Sequence, residues 1–359
     1  MLPSASGSDP SSPPTWPALL TSLLHQHDLS ADQTAWVMAQ VMSGEATPVQ
    51  IAGFVVALRA KGETPDEVTG LASTMLSFAS PAPSTGAALD IVGTGGDRSH
   101  TVNISTMAAI VAAAAGMPVA KHGNRAASSS CGSADVLEEL GVAIDLAGDG
   151  FATCFAEVAI GFCFAPIYHP ALRHAAATRG ELGVPTVFNF LGPLTNPARP
   201  NASAVGVADA RMAGVIANVL ASRGNRALVF RGDDGLDEIT TTTTSHVWVV
   251  NDGAVAETTF DPESVGIHRV EAADLRGGDR RHNADVVRRL LDGERGPVRD
   301  AVVLNAAAGV VAYEGPLADA LVDQLRAAIT RCEAALDSGG GARKLDAWIA
   351  ASQKARAQT

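Results

Sequence analysis

Aromatic side chains make up only 4% of the 359 residues and cysteine occurs four times, and each scarcity excludes something. With few rings and much alanine and glycine, helices are expected to pack closely on small side chains. Cys131, Cys154, Cys163 and Cys332 show neither CxxC spacing nor zinc-type histidine partners, so reduced thiols in a cytosol are expected. Cys163, within Phe162-Cys163-Phe164, reads as a small core residue. The apolar run from Met107 to Ala120 ends at Lys121, too short for a membrane span. Met1 to Pro14 is rich in Ser, Pro and Gly without the basic flank or apolar core of a secretion signal, so residues 1–15 are expected to be a disordered tail on a soluble, cytoplasmic protein. Positive charge is also short: 26 Lys plus Arg against 38 Asp plus Glu gives a net −12. That balance disfavours a general nucleic-acid binder and docking on an acidic membrane, and an anionic ligand would need positive charge supplied locally. No Ser/His/Asp or Cys/His arrangement stands out, and there is no internal repeat.

What is present divides in two. From Trp16 to about Phe78 the periodicity is helical, with Ser30 capping one segment, Thr47-Pro48 opening a second and Thr64-Pro65-Asp66-Glu67 a third. The connector Ser80 to Gly86 marks a boundary. Beyond it, strands and helices alternate, which predicts an α/β domain with a mixed, mostly parallel sheet covered by helices. Phe188 to Pro197 is too rich in Gly and Pro for regular structure and is expected to be a packed loop, while Thr240 to Thr244 reads as a β-rich edge segment. Three or four helices are expected from Asn283 onward.

The chemistry concentrates between Asp90 and Ser133. Leu89 to Val92 reads as a strand ending in the turn Gly93-Thr94-Gly95-Gly96-Asp97, where the backbone can approach a ligand closely. This turn lacks the third glycine of GxGxxG and the Lys-Ser/Thr of a P-loop, so neither nucleotide motif applies. Met107 to Ala115 reads as a buried helix capped by Ser105 or a neighbour, and its unpaired N–H groups form an anion site. Pro118 to Ala120 reads as a second strand, followed by Lys121-His122-Gly123-Asn124-Arg125, three potentially cationic side chains in five residues. Two strand ends thus deliver a glycine cradle and a basic cluster to one crevice, where a phosphorylated substrate is expected.

Later in the chain, Asp233, Asp234, Asp237 and Glu238 repel one another unless a cation is present, and hard oxygen ligands beside a substrate phosphate suit Mg²⁺. A solvated acidic loop is the commoner fate of such a run. Ser105 is open to two roles, helix cap or Mg²⁺ ligand, and Arg179 is open to a place on a plain surface helix face.

The segments GTGGD (Gly93 to Asp97), NISTMAA (Asn103 to Ala109), KHGNRAASS (Lys121 to Ser129), GSAD (Gly132 to Asp135), the stretch His169 to Arg179, FNFLGPLTNP (Phe188 to Pro197) and DGLDE (Asp234 to Glu238) together resemble one family closely, the anthranilate phosphoribosyltransferases of tryptophan biosynthesis. The likeness runs from about Trp16 to the last helices. It implies a small helical domain of residues 16–86, completed by helices of about 168–198, and an α/β phosphoribosyl-binding domain of residues 87–359. It further implies transfer of a phosphoribosyl group to the amine of anthranilate with release of pyrophosphate, the second step from chorismate to tryptophan.

Carried over position by position, the resemblance implies that Gly93, Gly96, Asp97, Thr101, Asn103, Ile104, Ser105, Thr106, Lys121, His122, Gly123, Asn124, Arg125, Ala126, Ala127, Ser128, Ser129 and Ser133 hold phosphoribosyl pyrophosphate. Gly93, Asn124 and Arg179 are implied for anthranilate, the last through the substrate carboxylate. Two Mg²⁺ per subunit are implied, one on Ser105 and Glu238 and one on Asp237 and Glu238, with no residue acting as general acid or base. A homodimer is implied as well. Cys131 departs from the serine expected there, and Leu172 and Pro185 fall where relatives often carry other side chains along the anthranilate path. The rivals are a pyrimidine nucleoside phosphorylase of the same architecture, which needs no metal pair, and an inactive relative that holds nucleic acid, which should be basic.

Overall fold

The computed structural model describes residues 13–84, 86–126 and 130–358, and it divides into two compact units: the described residues up to Phe78 with Ala171–Phe188, and Ala79–Pro170 with Asn189 onward. Helices and strands are numbered along the chain.

The first unit is all helical. It holds α1 (Trp16–Leu24), α2 (Ala31–Ser43), α3 (Pro48–Lys61), α4 (Pro65–Ser77) and, from the second segment, α9 (Arg173–Leu182). Ser30, Thr47 and Thr64 each close a capping box onto the third helical residue, which satisfies otherwise unpaired N–H groups and fixes where the helices start. Pairs α2 with α4 and α1 with α3 pack together, and α9 lies on α2 and α3. Gly70 makes the first crossing possible, since a Cβ there would lie 2.1 Å from the Ala31 carbonyl oxygen. Glu67 is buried and locks the α2 entrance, accepting from Leu29 N (2.9 Å), Thr64 N (2.8 Å) and Lys61 Nζ (3.0 Å).

The second unit is built on seven strands: β1 (Leu89–Gly93), β2 (Val119–Gly123), β3 (Ile160–Phe164), β4 (Ala202–Gly206), β5 (Arg226–Gly232), β6 (Ser245–Asn251) and β7 (Ala254–Phe260). The order is β3-β2-β1-β4-β5-β6-β7, parallel from β3 to β5, with β6 and β7 added antiparallel. Its helices are α5 (Ile104–Ala114), α6 (Ser133–Leu140), α7 (Gly148–Val158), the short α8 (Ala165–Tyr168), α10 (Ala210–Ser222), α11 (Arg280–Leu291), α12 (Pro297–Glu314), α13 (Leu321–Asp337) and α14 (Gly340–Arg356). Both sheet faces are buried. Leu89, Ile91 and Val119 join the large core with α5, α12 and α13, while the alternate residues Ala88 and Ala120 join a second core with Phe151, Cys163 and Tyr168. The mixed, mostly parallel sheet covered by helices is therefore the architecture the alternation of strands and helices anticipates.

Four details differ from the sequence reading. The α5 N-cap is Asn103, not Ser105, and it makes no side-chain cap bond. Strand β2 continues to Gly123, so Lys121 and His122 lie inside the sheet and not in a loop after it. Thr240 to Thr244 is a turn: its hydroxyls bond the carboxylates of Asp233 and Asp234, which short-range β propensity could not foresee. Strand β7 and helix α7 carry no strong local signal and were not anticipated.

Candidate active site

Within the α/β unit the glycine turn and the late acidic pair meet. Gly95 N–H donates to Asp237 Oδ2 at 2.7 Å across 142 residues of sequence. The approach depends on two glycines: a Cβ on Gly93 would stand 2.3 Å from that oxygen, and one on Gly206, at the end of β4, 1.7 Å from the Asp237 carbonyl oxygen. The turn is wound left-handed, with φ of 68° at Gly95 and 89° at Gly96, and then 61° at Arg98 and 53° at His100, values that side-chain-bearing residues seldom adopt. The loop returns to the fold through the bridge between Thr101 and Arg276 and the bond from Gly277 N to the His100 carbonyl (2.8 Å).

Glu238 is buried and feels the backbone N–H of Ser105 at the start of α5. The helix N-terminus that the sequence assigns to an anion therefore already faces a carboxylate. Burial, then the charge of Asp237, pushes the Glu238 carboxyl well above its usual range, and burial, then Asp97, raises Asp237 to about 7. Crowded carboxylates out of water favour a shared proton or a cation between them. The donors present fit a hard divalent ion: the Asp237 and Glu238 carboxylates and the Ser105 hydroxyl would contribute two groups per ion, the rest of the shell coming from water and substrate oxygens. Among the described residues no group of three or more His, Cys, Asp or Glu side chains is placed to hold a metal ion by itself. Of the four carboxylates in the acidic stretch, Asp233 and Asp234 are occupied by threonine hydroxyls, so the pair left for chemistry is 237 and 238.

The basic segment behaves differently from three free cations. Lys121 is 1% exposed, its Nζ donating to the Ile91 carbonyl (2.6 Å) and feeling Asp90 and Glu238; desolvation lowers its pKa. His122 is neutral, driven down to about 3 by burial and then by His169, whose ring centroid is 5.3 Å away; its Nδ1 faces the Gly192 carbonyl at 3.0 Å. Arg125 is bound to Asp135 (2.9 Å) and Glu138 (2.9 Å) on α6, with its guanidinium 5.5 Å from the Phe164 ring. The loop is tied by Asp135, which accepts from Ala126 N and Gly132 N, both 2.9 Å, and by Ser133 Oγ donating to the Asn124 carbonyl (3.2 Å). A Cβ on Gly123 would fall 2.2 Å from that same hydroxyl. Ala127, Ser128 and Ser129 lie outside the described residues.

The remaining candidates are held in place around α5. Asn103 accepts from Asn283 Nδ2 (2.8 Å) and donates to the Cys131 carbonyl (3.0 Å), so the non-serine at 131 contributes its backbone. Ile104 and Thr106 are buried, and Thr106 Oγ1 has no hydrogen-bond partner. In the helical unit, half-buried Arg179 on α9 stacks its guanidinium over Phe188 at 5.3 Å and has no ion-pair partner among the described residues. Burial lowers its pKa. Sequence reasoning gave no role to Asp90, Asn196 and Asn283, which hold the others from behind; of the three only Asn196 lies in a quoted motif, FNFLGPLTNP.

Residues 17–79 match the glycosyl transferase family helical bundle domain, and residues 85–342 its a/b domain. Over 343 residues the chain is 67% identical to an anthranilate phosphoribosyltransferase of Acidothermus cellulolyticus, covering 96% of this chain and 97% of that protein. The chain belongs to the anthranilate phosphoribosyltransferase family. An anthranilate phosphoribosyltransferase of a Nocardioides species is 61% identical, with 95% and 99% covered. Among solved structures, that of the family member from Thermus thermophilus superposes with a TM-score of 0.86 at 40% identity, covering 93% of this chain and 99% of that one. The Saccharomyces cerevisiae member, solved in complex with PRPP and Mg, has the same fold, with a TM-score of 0.85 at 24% identity over 94% and 98% of the two chains.

Proposed function

We infer that this chain transfers the phosphoribosyl group of phosphoribosyl pyrophosphate to the amine of anthranilate, releasing pyrophosphate, as the second step from chorismate to tryptophan. The observation that carries the chemistry is the 2.7 Å bond between Gly95 N and Asp237 Oδ2, which joins the phosphate turn to the acidic pair in one place. Such a pair has no use in a nucleoside phosphorylase working without metal. A net charge of −12 with both carboxylates retained also speaks against an inactive nucleic-acid binder.

Two Mg²⁺ per subunit are proposed, one on Ser105 and Glu238 and one on Asp237 and Glu238. When bound, they neutralise the departing pyrophosphate. The chain's own groups do the rest. The left-handed glycine turn offers backbone N–H groups to phosphate oxygens, and α5 adds its positive end. Arg179 fits the anthranilate carboxylate as a bidentate fork. An aromatic amine is neutral at pH 7, so its lone pair attacks C1 without a general base as the C1–O bond to pyrophosphate breaks, and the cationic nitrogen then loses its extra proton to the departing pyrophosphate or to water. Positioning and charge stabilisation then account for the rate.

A second copy of this chain is the proposed partner. Leu24 on α1 is 74% exposed, and Val49 and Val56, two turns apart on α3, are 81% and 45% exposed; α1 packs on α3, and a Cβ built on Gly53 would lie 3.7 Å from the Leu20 side chain. This apolar stripe suits a self-complementary interface. No helix among the described residues is long and apolar enough to cross a membrane. The function is tested by mixing protein, phosphoribosyl pyrophosphate, Mg²⁺ and anthranilate and following anthranilate fluorescence: Mg²⁺-dependent loss is expected, and no loss with every component present would refute it.

A further inference from the structure

Strands β1 and β2 are neighbours, yet they share one register pair, Leu89 with Val119, whereas β1 pairs with β4, and β2 with β3, along five residues each. Two adjacent parallel strands that lack a ladder inside a sheet leave buried backbone groups without ladder partners, and each such group is costly. Here side chains replace the ladder. Asp90 Oδ1 accepts from His122 N (3.2 Å), Lys121 Nζ donates to the Ile91 carbonyl (2.6 Å), and Asn196 Nδ2 donates both to Asp90 Oδ2 (2.8 Å) and to the Ala120 carbonyl (2.7 Å). Asn196 is itself fixed by accepting from Ala198 N at 2.9 Å. Asp90 is 0% and Lys121 1% exposed, so two charged side chains are kept out of water where plain strand pairing would have needed none. Buried charge is a poor route to stability, so its presence calls for another benefit. The ends without a ladder are those from which the glycine turn and Asn124–Arg125 emerge.

We propose that Asp90 is a positioning residue: through His122 N and Asn196 it stands in for the missing ladder between β1 and β2, and this side-chain link sets the spacing between the glycine turn and Asn124–Arg125 after β2, where the pyrophosphate-bearing substrate is held. It rests on the function inferred above, and its test separates from the failure of that function because the parent protein is assayed alongside. Asp90→Asn keeps an acceptor for His122 N but turns an amide donor toward the donor of Asn196. The KM for phosphoribosyl pyrophosphate should rise about tenfold or more, and by clearly more than the KM for anthranilate, to which the resemblance also assigns Gly93 and Asn124. Asn196→Ser, which removes both of the amide's donated bonds, should show the same asymmetry.

A residue that only stabilised the fold would lower the melting temperature and the amount of active protein and leave both KM values unchanged; that result, or equal rises in both, overturns the proposal. A parent unable to consume anthranilate would instead sink the function. Should neither variant fold, hydrogen exchange on the parent decides. Mg²⁺ with phosphoribosyl pyrophosphate should slow exchange across residues 120–124 about tenfold or more relative to β4, and equal protection with and without the substrate overturns the proposal.

Discussion

At the scale of single residues, the acidic pair makes the strongest demand. Asp237, raised to about 7 by burial and then Asp97, carries a proton through much of the neutral range in the metal-free protein. Protons and Mg²⁺ then compete for it, so the Mg²⁺ concentration giving half-maximal rate should fall as pH rises from about 6 to 8. The sign for stability is opposite: a carboxyl raised in the folded state favours folding below its unfolded value, and that contribution is lost as pH climbs through about 7 unless the metal is bound. A half-maximal Mg²⁺ concentration that does not move with pH would contradict this. Glu238→Gln keeps the shape but removes the only protein carboxylate from one proposed ion and one of two from the other, and turnover should drop at least about a hundredfold even in saturating Mg²⁺. An undiminished rate would remove the metal assignment. Arg179→Ala, by contrast, should raise the KM for anthranilate about tenfold or more with little change for phosphoribosyl pyrophosphate. Equal effects on the two substrates would show that its stacking on Phe188 is structural.

At the scale of elements, close backbone approach decides what is tolerated. Gly93→Ala would place a Cβ 2.3 Å from Asp237 Oδ2, the end of a side chain, so the protein should fold while the carboxylate is displaced, and Mg²⁺-dependent turnover should fall about a hundredfold. Gly206→Ala meets the Asp237 backbone at 1.7 Å, which no rotamer change relieves, and should reduce soluble protein instead. Comparison of rate per folded molecule in the first with yield in the second checks both; a fully active Gly93→Ala enzyme would contradict the geometry. The same contrast explains what was legible beforehand. Capping residues Ser30, Thr47 and Thr64, the glycine turn and the alternation of strands with helices are local patterns, and the structure bears them out. What the sequence could not disclose depends on distant partners. Lys121 and Arg125 look like free cations until Ile91, Asp135 and Glu138 are brought to them, and the threonine run looks like a strand until Asp233 and Asp234 accept its hydroxyls. Asp90 belongs to no motif because its task is to bond β2 and Asn196, 32 and 106 residues away.

At the scale of the whole molecule, the issue is assembly. Large aliphatic side chains exposed along one helix pair are unfavourable in water unless something covers them, and a two-fold interface covers the same patch on both copies at once. Val49, 81% exposed on α3, is the most open of these side chains, and it makes no contribution to the buried core of its own unit. Val49→Glu should therefore leave the fold intact while setting two carboxylates against each other across a self-complementary surface. Sedimentation at micromolar concentration should give a dimer for the parent and a monomer for the variant. Leu317→Glu, which charges another exposed side chain (49%) in the α/β unit, should remain dimeric. A parent that sediments as a monomer, or a Val49→Glu protein that stays dimeric, would show that the α1–α3 stripe is not the contact, whatever the enzyme's activity.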